Sequence, residues 1–464
     1  MALGLISSEQ IDDYWSQNTR RRIFYAYPNG TAPLTGLLSL MENKDTPQPE
    51  FGWNEERWAA IKTQPSVTSA PTTNVVWYGA GTTTPLTSPY TVVPFTAIRL
   101  YVADASNFQV DDMITVFSLA LTVGTGDLNG RITLVNATTA PYYIEFEPVN
   151  TLTSTLITSA TNNVANWIYL IGSAYAEAAR SRTGRSRFPS EIKNFTQIQK
   201  TPFELTRTAL KEPLKYDKTG AYRDIAKSNG IDHLSQIELT AFFGRRNKTT
   251  AVDPDTGQTV RRGFTGGLRW YLDQWELGSV AAGGAFDYGQ PNVSAQTDYT
   301  TYTTKRVIKL AAATITRTNF NTLMGNLFAR TNSSDWSKLG LCGPGYLGKV
   351  ADMFERQIQW TSLRNEGFEG FDFKLSWHRS NAGDVYYKTH PLFNDPIMNN
   401  SCFYVDLGYM GYRPLTDSDT DIQPLIQLPD ADKRKDQWLT EYGFEVPFPE
   451  AFQYVENLGG ITLT

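Results

Sequence analysis

Apolar and polar residues alternate most clearly between positions 92 and 150. Alternation of this kind, with turn residues between the runs, predicts β-strands that turn one side toward a core. The four predicted strands lie in the segments Ile98–Val102, Met113–Leu119, Arg131–Val135 and Tyr142–Pro148. Stretches rich in Thr and Ser frame this region at 63–91 and 151–162, so the pattern indicates a small β-domain inserted into a loop of a larger one.

Helical spacing is strongest at about 220–246, where apolar residues recur every three or four positions. The pair Asn229-Gly230 predicts a break inside this helix, after which Asp232 would cap a second segment. Residues 247–268 contain glycine and many polar side chains, so we predict a polar loop there.

Two further regions have patterns of their own. Residues 1–50 are mixed and polar, with breaks from Pro28 onward, and predict an extended arm with one short helix that must order against another surface or stay loose. Residues 305–375 alternate between strand-like and helix-like runs, which indicates a mixed α/β region. Its predicted elements are a strand in Ile308–Ile315, a helix in Asn319–Arg330 capped by Asn319, a strand at Lys338–Cys342, a helix at Leu347–Gln359 and a strand at Phe371–Trp377.

Composition narrows the functional class. Of the 464 residues, 41% are hydrophobic and 19% charged, and the net charge is −5. A dedicated nucleic-acid binder is usually basic, so the chain as a whole is not one. The two cysteines, Cys342 and Cys402, are too few for a disulfide framework, which fits a reducing compartment. No apolar run reaches the roughly 18 residues of a membrane-spanning helix, so we expect no membrane partner.

One glycine pattern is similar to a cofactor site. Gly343, Gly345 and Gly348 match the G-x-G-x-x-G pattern of dinucleotide binding. However, Pro344 removes one backbone donor, and no βαβ series precedes the pattern. We interpret it as a plain strand-to-helix turn and expect no cofactor.

Other candidate chemistry is equally weak. Asp417, Asp419 and Asp421 begin like a calcium loop, but the required Gly and Glu further along are missing. The histidines lack metal-ligand spacing, and Ser190 with Lys193 forms an S-x-x-K pair without its usual companion motifs. We therefore expect no metal site, no catalytic residue and no enzymatic activity.

Basic residues are grouped along the chain. Such groups serve solubility and ion pairing between subunits, or they contact nucleic-acid phosphates without reading sequence. We favour subunit pairing for most of 180–187 and keep DNA contact open for the arm. The candidate inter-subunit or DNA-facing residues are Arg20, Arg21, Arg22, Arg180, Arg182, Arg185 and Arg187, and further basic groups lie at 245–248 and 261–262.

A set of motifs follows in a characteristic order. Residues 194–198 read N-F-T-Q-I, and a strand then leads into the long predicted helix. This text resembles the tailed-phage capsid families, and residues 100–116 are similar to the β-insertion that those proteins often contain. Residues 440–458 are similar to their closing strand, and Gln199-Lys200 departs from the aromatic and basic pair that is commoner there. The matching residues are Asn194, Phe195, Thr196, Gln197, Ile198, Glu204, Leu205, Thr206, Thr208, Glu238, Leu239 and Phe242.

The resemblance implies an α+β fold of the Hong Kong 97 type. It would comprise an N-terminal arm, an extended loop with a β-rich insertion, a spine helix, and axial and peripheral domains. The implied ranges are 1–50 for the arm, 51–190 for the extended loop with its inserted domain at about 92–150, 191–304 for the peripheral domain with the spine helix at about 220–246, 305–375 for the axial domain, and 376–464 for the remainder of the axial domain and the return to the peripheral domain.

The resemblance also implies a function. A major capsid protein assembles with its own copies into pentamers and hexamers of an icosahedral shell around double-stranded DNA. The implied partners are sister subunits, scaffold and decoration proteins, and DNA through unspecific contacts, in a virion assembled in the bacterial cytoplasm. Because the sequence begins at Met1, we expect a separate scaffold rather than a cleaved propeptide.

Three other classes stay open on the residues alone. The 11 Trp and 24 Tyr could form the sugar platforms of a β-rich carbohydrate-binding or carbohydrate-degrading protein. The glycine pattern could belong to a nucleotide-dependent enzyme. Another virion structural protein, such as a tail or decoration protein, would share the strand-rich composition.

Overall fold

The computed structural model shows two compact units, unit 1 of Met1–Glu55 with Ser190–Thr464 and unit 2 of Glu56–Pro189. The structure describes residues 45–56, 61–66, 77–82, 86, 91–117, 128–149, 152–153, 167–177, 179, 184–185, 189–211, 221–277, 306–329, 337–353, 359–362, 374–380 and 382–462. Most of the predicted N-terminal arm, residues 1–50, lies outside this part of the chain.

The described elements make a mixed α/β architecture with few helices and many strands. The helices are α1 Arg207–Lys211, α2 Ala221–Phe243, α3 Leu268–Leu277, α4 Arg317–Phe328 and α5 Pro344–Met353, with 3-10 turns at Pro391–Asn394, Leu407–Tyr409 and Pro449–Ala451. The strands are β1 Glu50–Glu55, β2 Lys62–Thr63, β3 Trp77–Gly79, β4 Thr91–Val92, β5 Ile98–Tyr101, β6 Asp112–Phe117, β7 Leu128–Asn136, β8 Tyr143–Pro148, β9 Leu152–Thr153, β10 Trp167–Ser173, β11 Ser190–Phe195, β12 Gln197–Thr206, β13 Asn247–Val252, β14 Thr259–Phe264, β15 Val307–Lys309, β16 Thr314–Thr316, β17 Ser337–Cys342, β18 Gln359–Ser362, β19 Lys374–Arg379, β20 Asp384–Thr389, β21 Cys402–Val405, β22 Gly411–Pro414, β23 Asp421–Gln423, β24 Lys433–Glu445, β25 Gln453–Glu456 and β26 Gly460–Thr462. Within the described residues, no helix is both long and apolar enough to cross a membrane.

Unit 2 is built on a seven-stranded sheet in the order β2-β10-β6-β7-β8-β5-β3. Its neighbouring strands run antiparallel. Leu100, Ile114, Ile132 and Phe146 are fully buried in one apolar cluster, as alternating strands with one buried face require. β5, β6, β7 and β8 confirm the four strands that the alternation predicts.

The larger sheet of unit 1 has seven strands in the order β15-β25-β21-β17-β20-β19-β18. It is mixed, because β17 pairs in parallel with β20 and antiparallel with β21. Helices α4 and α5 contribute Phe320 and Tyr346, both fully buried, to the apolar cluster on this sheet. The strand predicted at Lys338–Cys342 is confirmed as β17, and the strand predicted at Phe371–Trp377 overlaps β19.

Several element details differ from the prediction. The N-cap of α4 is Thr316, whose hydroxyl accepts from Asn319 N at 3.2 Å, so the predicted cap at Asn319 is wrong. The strand predicted in Ile308–Ile315 is two strands, β15 and β16, because Ala311 and Ala312 adopt positive φ angles of 45° and 66° between them. A turn there lets each short strand pair with a different C-terminal partner.

The predicted break at Asn229-Gly230 is also wrong, since α2 continues through it. A Cβ at Gly230 would lie 3.1 Å from the ring of Trp438, whose Nε1 donates to Ala226 O at 3.0 Å. The glycine therefore permits close packing of α2 on β24 rather than ending the helix. Asp232 is exposed on the helix surface and caps nothing.

Residues 247–264 form a β-hairpin, so the polar loop predicted for 247–268 is wrong. β13 and β14 pair antiparallel from Asn247–Phe264 at the root to Val252–Thr259 near the turn. The pairing satisfies backbone groups along a segment that has few apolar side chains. The hairpin then leads through two glycines into α3, a helix that the sequence patterns do not predict.

Candidate subunit-contact surface

Cross-strand register divides the β13–β14 hairpin into two faces. Directly opposed residues of an antiparallel pair share a face, and the next pair along uses the other. Thr250 opposes Arg261, whereas Thr249 opposes Arg262. The two neighbouring arginines therefore lie on opposite faces, and we call the face of Arg262 the outer face.

The opposite face attaches the root of the hairpin to unit 1. Three cations surround the ring of Phe195, with centroid distances of 4.8 Å for Arg246, 5.8 Å for Lys248 and 5.1 Å for Arg261. Arg261 Nη2 also donates to Pro49 O at 2.6 Å. Cation–π contacts at exposed sites contribute about 0.5–1 kcal/mol each, so together they fix the root of the hairpin in place.

The outer face is partly exposed. Val260, Arg262 and Phe264 follow one another at alternate positions of β14 and so lie side by side on it. Val260 is 44% exposed and Phe264 37%, and Arg262 is exposed between them. Two strands alone are marginal in water and cannot bury such a face themselves. This surface therefore has the character of one that another molecule covers.

The arginines predicted as contact residues lie mostly elsewhere. The Arg185 guanidinium forms an ion pair with the fully buried carboxylate of Asp112 within unit 2. Part of its charge is thus neutralised inside its own subunit, and its contact with a sister subunit or DNA stays a prediction. The remaining candidates fall outside the described residues: Arg20, Arg21, Arg22, Arg180, Arg182 and Arg187.

Asn194, the first residue of the N-F-T-Q-I run, is fully buried at a junction of three chain segments. Its Nδ2 donates to Phe444 O at 2.7 Å, to Thr265 Oγ1 at 3.1 Å and to Gly266 O at 3.2 Å. Its Oδ1 accepts from Phe195 N and Gly266 N, both at 2.9 Å. One amide thereby joins β11, β24 and the turn between the hairpin and α3, so its role is architectural.

The glycine pattern at 343–348 is a packed turn. A Cβ at Gly343 would lie 2.2 Å from Asn399 O, and Gly345 N donates to Asn399 Oδ1 at 2.7 Å. The side chain of Asn399 therefore occupies the start of α5, where a phosphate would have to bind. Gly348 lies on the exposed side of the helix. The arrangement agrees with the strand-to-helix interpretation.

The acidic turn also satisfies itself locally. Asp419 Oδ1 accepts from Tyr412 Oη at 3.1 Å and from Thr420 N at 2.7 Å, and Asp421 Oδ1 accepts from Ile422 N. Among the residues that the structure describes, no group of three or more His, Cys, Asp or Glu could hold a metal ion.

The histidines take part in buried structural contacts. His233 Nδ1 lies 2.8 Å from Thr201 Oγ1, and its Nε2 lies 2.8 Å from Thr440 Oγ1. Burial lowers the pKa of His233, which keeps the ring neutral between the two hydroxyls. His390 Nε2 lies 2.8 Å from Glu238 Oε1, and both side chains are fully buried. These contacts connect α2 to β12, β24 and the segment after β20.

Solved structures show only distant similarity. A structure of Mycobacterium phage Bobi aligns with 98% of this chain and 99% of its own at 8% identity, with a TM-score of 0.40. One of Mycobacterium phage Adephagia aligns with 99% of both chains at 8% identity, with a TM-score of 0.39. The holo-SrpI encapsulin complex from Synechococcus elongatus aligns with 58% of this chain and 76% of its own at 9% identity, with a TM-score of 0.35.

Comparison with protein families identifies the chain more clearly than comparison with solved structures does. No curated protein matches the sequence. The model of the SU10 major capsid protein family matches residues 8–459, which is nearly the whole chain. The match includes Asn194 and its buried junction, the hairpin and both units. The chain therefore belongs to the SU10 major capsid protein family and is a phage shell-forming protein.

Proposed function

We propose that this chain assembles with its own copies into pentamers and hexamers of an icosahedral shell that encloses double-stranded DNA. The observation that carries the contact between copies is the partly exposed outer face of the β13–β14 hairpin. Val260 and Phe264 expose apolar surface there, beside the charge of Arg262. A sister subunit would cover this face, and symmetry would repeat the same modest contact throughout the shell.

The proposed domain arrangement is that of the Hong Kong 97 fold. Residues 1–50 would form the arm, 51–190 the extended loop, and 191–304 the peripheral domain, with α2 as the spine helix. Residues 305–375 and part of 376–464 would form the axial domain. The ends of unit 2 support an insertion, because Glu55, where the chain leaves unit 1, is the register partner of Ser190, where it returns.

Beyond sister copies, we propose packaged DNA, scaffold proteins and decoration proteins as partners, in a virion assembled in the bacterial cytoplasm. The arm arginines Arg20–Arg22 would meet DNA, and the group at 180–187 would pair with neighbouring subunits. Contacts with phosphates release counterions, so any DNA binding would be independent of sequence and would weaken steeply with salt. The protein would act by contact alone, without catalysis.

Electron microscopy of the expressed full-length chain tests the proposal, and one pair of variants tests the hairpin. The Val260→Glu variant places a carboxylate on the outer face, next to Arg262, where covering it would cost several kcal/mol of desolvation. Gln258→Glu adds the same charge at the exposed turn and is the matched control. We expect shells or five- and six-membered rings from the wild type and Gln258→Glu, and folded but unassembled subunits from Val260→Glu.

Two results would contradict these expectations separately. If Val260→Glu forms shells as readily as the control, the outer face is not a subunit contact. If the wild type stays monomeric at high concentration while its circular dichroism shows an ordered fold, the proposal that the chain forms a shell is refuted.

A further inference from the structure

Two buried thiols lie opposite each other on neighbouring strands of unit 1. Cys342 ends β17 and Cys402 begins β21, and they are register partners in the antiparallel pair. Both thiols are free and fully buried. Both belong to the same apolar cluster, so the two side chains lie on one face of the sheet. Their Sγ atoms are therefore neighbours.

The local ladder brings these two backbones especially close. Gly343 N donates to Ser401 O at 3.1 Å, which makes the next pair along the hydrogen-bonded one. Hydrogen-bonded and non-hydrogen-bonded pairs alternate, so Cys342 and Cys402 form a non-hydrogen-bonded pair with Cα atoms about 4.5 Å apart. Disulfides bridge Cα separations of about 4.4–6.8 Å. The two strands would not have to move apart or together to be joined.

The surroundings keep the thiols unreactive in the folded chain. Cys342 Sγ donates to Lys388 O at 3.8 Å, and Cys402 Sγ lies 3.5 Å from the position that a Cβ would take at Gly340. Burial, and then the hydrogen bond with Cys342, raise the pKa of the Cys402 thiol well above its ordinary value. Thiolate is thus scarce, and no oxidant reaches the pair until the sheet opens.

We propose that Cys342 and Cys402 form an intrachain disulfide whenever this sheet folds or opens in the presence of a thiol oxidant. Both thiols lose their protons, and an Sγ–Sγ bond forms as two electrons pass to the oxidant. With an azo compound such as diamide, the two electrons and two protons convert the N=N bond to a hydrazine. The inference does not depend on shell assembly.

The bond would hold together a junction that is already close-packed. It would enclose residues 343–401, which include α5, β18, β19 and β20. Closing this long loop restricts the unfolded chain and so stabilises the fold. Excess dithiothreitol would reverse the reaction by thiol–disulfide exchange once the sheet opens.

Refolding of the full-length chain tests the proposal. Protein unfolded in urea is refolded with diamide or with dithiothreitol, and its peptides are mapped without reduction. We expect one linked peptide containing Cys342 and Cys402, two hydrogens lighter than the free pair, and an unfolding midpoint at higher urea after oxidation. Dithiothreitol should restore the lower midpoint. The variants Cys342→Ala and Cys402→Ala should give no linked peptide and the same midpoint under both conditions.

Three outcomes would overturn it: both thiols remain free after oxidative refolding, the links join separate chains, or the linked protein unfolds at lower urea than the reduced one. Peptide mapping of the wild type decides between them even where an alanine variant fails to refold. In the folded protein, diamide should react far more slowly and at a rate that rises with urea, whereas immediate reaction without urea would refute the burial argument.

Discussion

Replacing Asn194 with alanine should destabilise unit 1 severely. The substitution removes every hydrogen bond of the buried amide and leaves Phe195 N and Gly266 N without their side-chain acceptor. A buried donor that loses its partner costs about 1–3 kcal/mol, so these two alone cost about 2–6 kcal/mol. Whole domains are stable by only about 5–15 kcal/mol, so the loss is a large fraction of the total.

Urea unfolding of unassembled subunits, followed by tryptophan fluorescence, measures this loss. Asn247→Ala is the matched control, because Asn247 is exposed and its side chain accepts only a local bond from Lys248 N at 2.8 Å. We expect the control to stay within about 0.5 kcal/mol of the wild type, as surface substitutions do. If Asn194→Ala costs no more than the control, the junction around this amide does not stabilise the fold.

Asn194→Asp separates the hydrogen bonds from the side-chain volume. The carboxylate keeps the acceptor for Phe195 N and Gly266 N but would face Phe444 O and Gly266 O without a donor. Burial beside these carbonyls raises the folded-state pKa of the new carboxyl above its unfolded value of about 3.9. The unfolded chain then loses its proton first, so stability should fall as pH rises from about 4 through the folded pKa. A variant equally stable at pH 4 and pH 7 would refute this reasoning.

Two more predictions follow from buried groups. Burial lowers the pKa of His378 to about 4, below its unfolded value of about 6.5. The unfolded chain therefore binds the proton first, so the free energy of unfolding should fall by on the order of 3 kcal/mol as pH drops from about 6.5 to 4. Urea titrations across that range should show this fall in the wild type but not in His378→Gln. Gly343→Ala should lower the unfolding temperature sharply, because the new Cβ would overlap Asn399 O. The control Gly348→Ala should leave the unfolding temperature equal, or raise it because alanine has up to about 1 kcal/mol more helix propensity than glycine. Equal effects of the two substitutions would mean that the turn is not packed as described.

Sequence patterns predict an element correctly where regularly spaced apolar residues pack into a buried core. β5, β6, β7 and β8 of unit 2 follow from alternation, because each places alternate side chains in one apolar cluster. β17 matches the short run K-L-G-L-C, and both of its faces are covered, since Leu341 lies in one apolar cluster and Cys342 in the other. The capsid resemblance likewise depends on the order of motifs, and the family match over 8–459 agrees with it.

The patterns fail where a local signal has a tertiary cause. Gly230 weakens a helix in isolation, and only the position of Trp438 shows why the helix continues. The hairpin has too few apolar residues to look like strands, although its V-R-R-G-F alternation and the D-P-D-T-G turn text are visible in hindsight. α3 is missed because its aromatic and charged residues give no clean period before the buried positions Tyr271 and Leu272 are known.

The residues that identify the family of this chain differ from those that we propose for contacts between subunits. The motif that carries the resemblance begins with Asn194, which is fully buried and contacts only its own subunit, so its presence is explained by folding alone. The outer face of the hairpin has the opposite character: Val260 and Phe264 are partly exposed on their own subunit, and we propose that a neighbour covers them. A family motif can therefore identify a shell subunit without showing where any contact between the subunits of a shell lies. For this reason the paired variants on the hairpin test the assembly argument, whereas the Asn194 variants test only the fold that presents it.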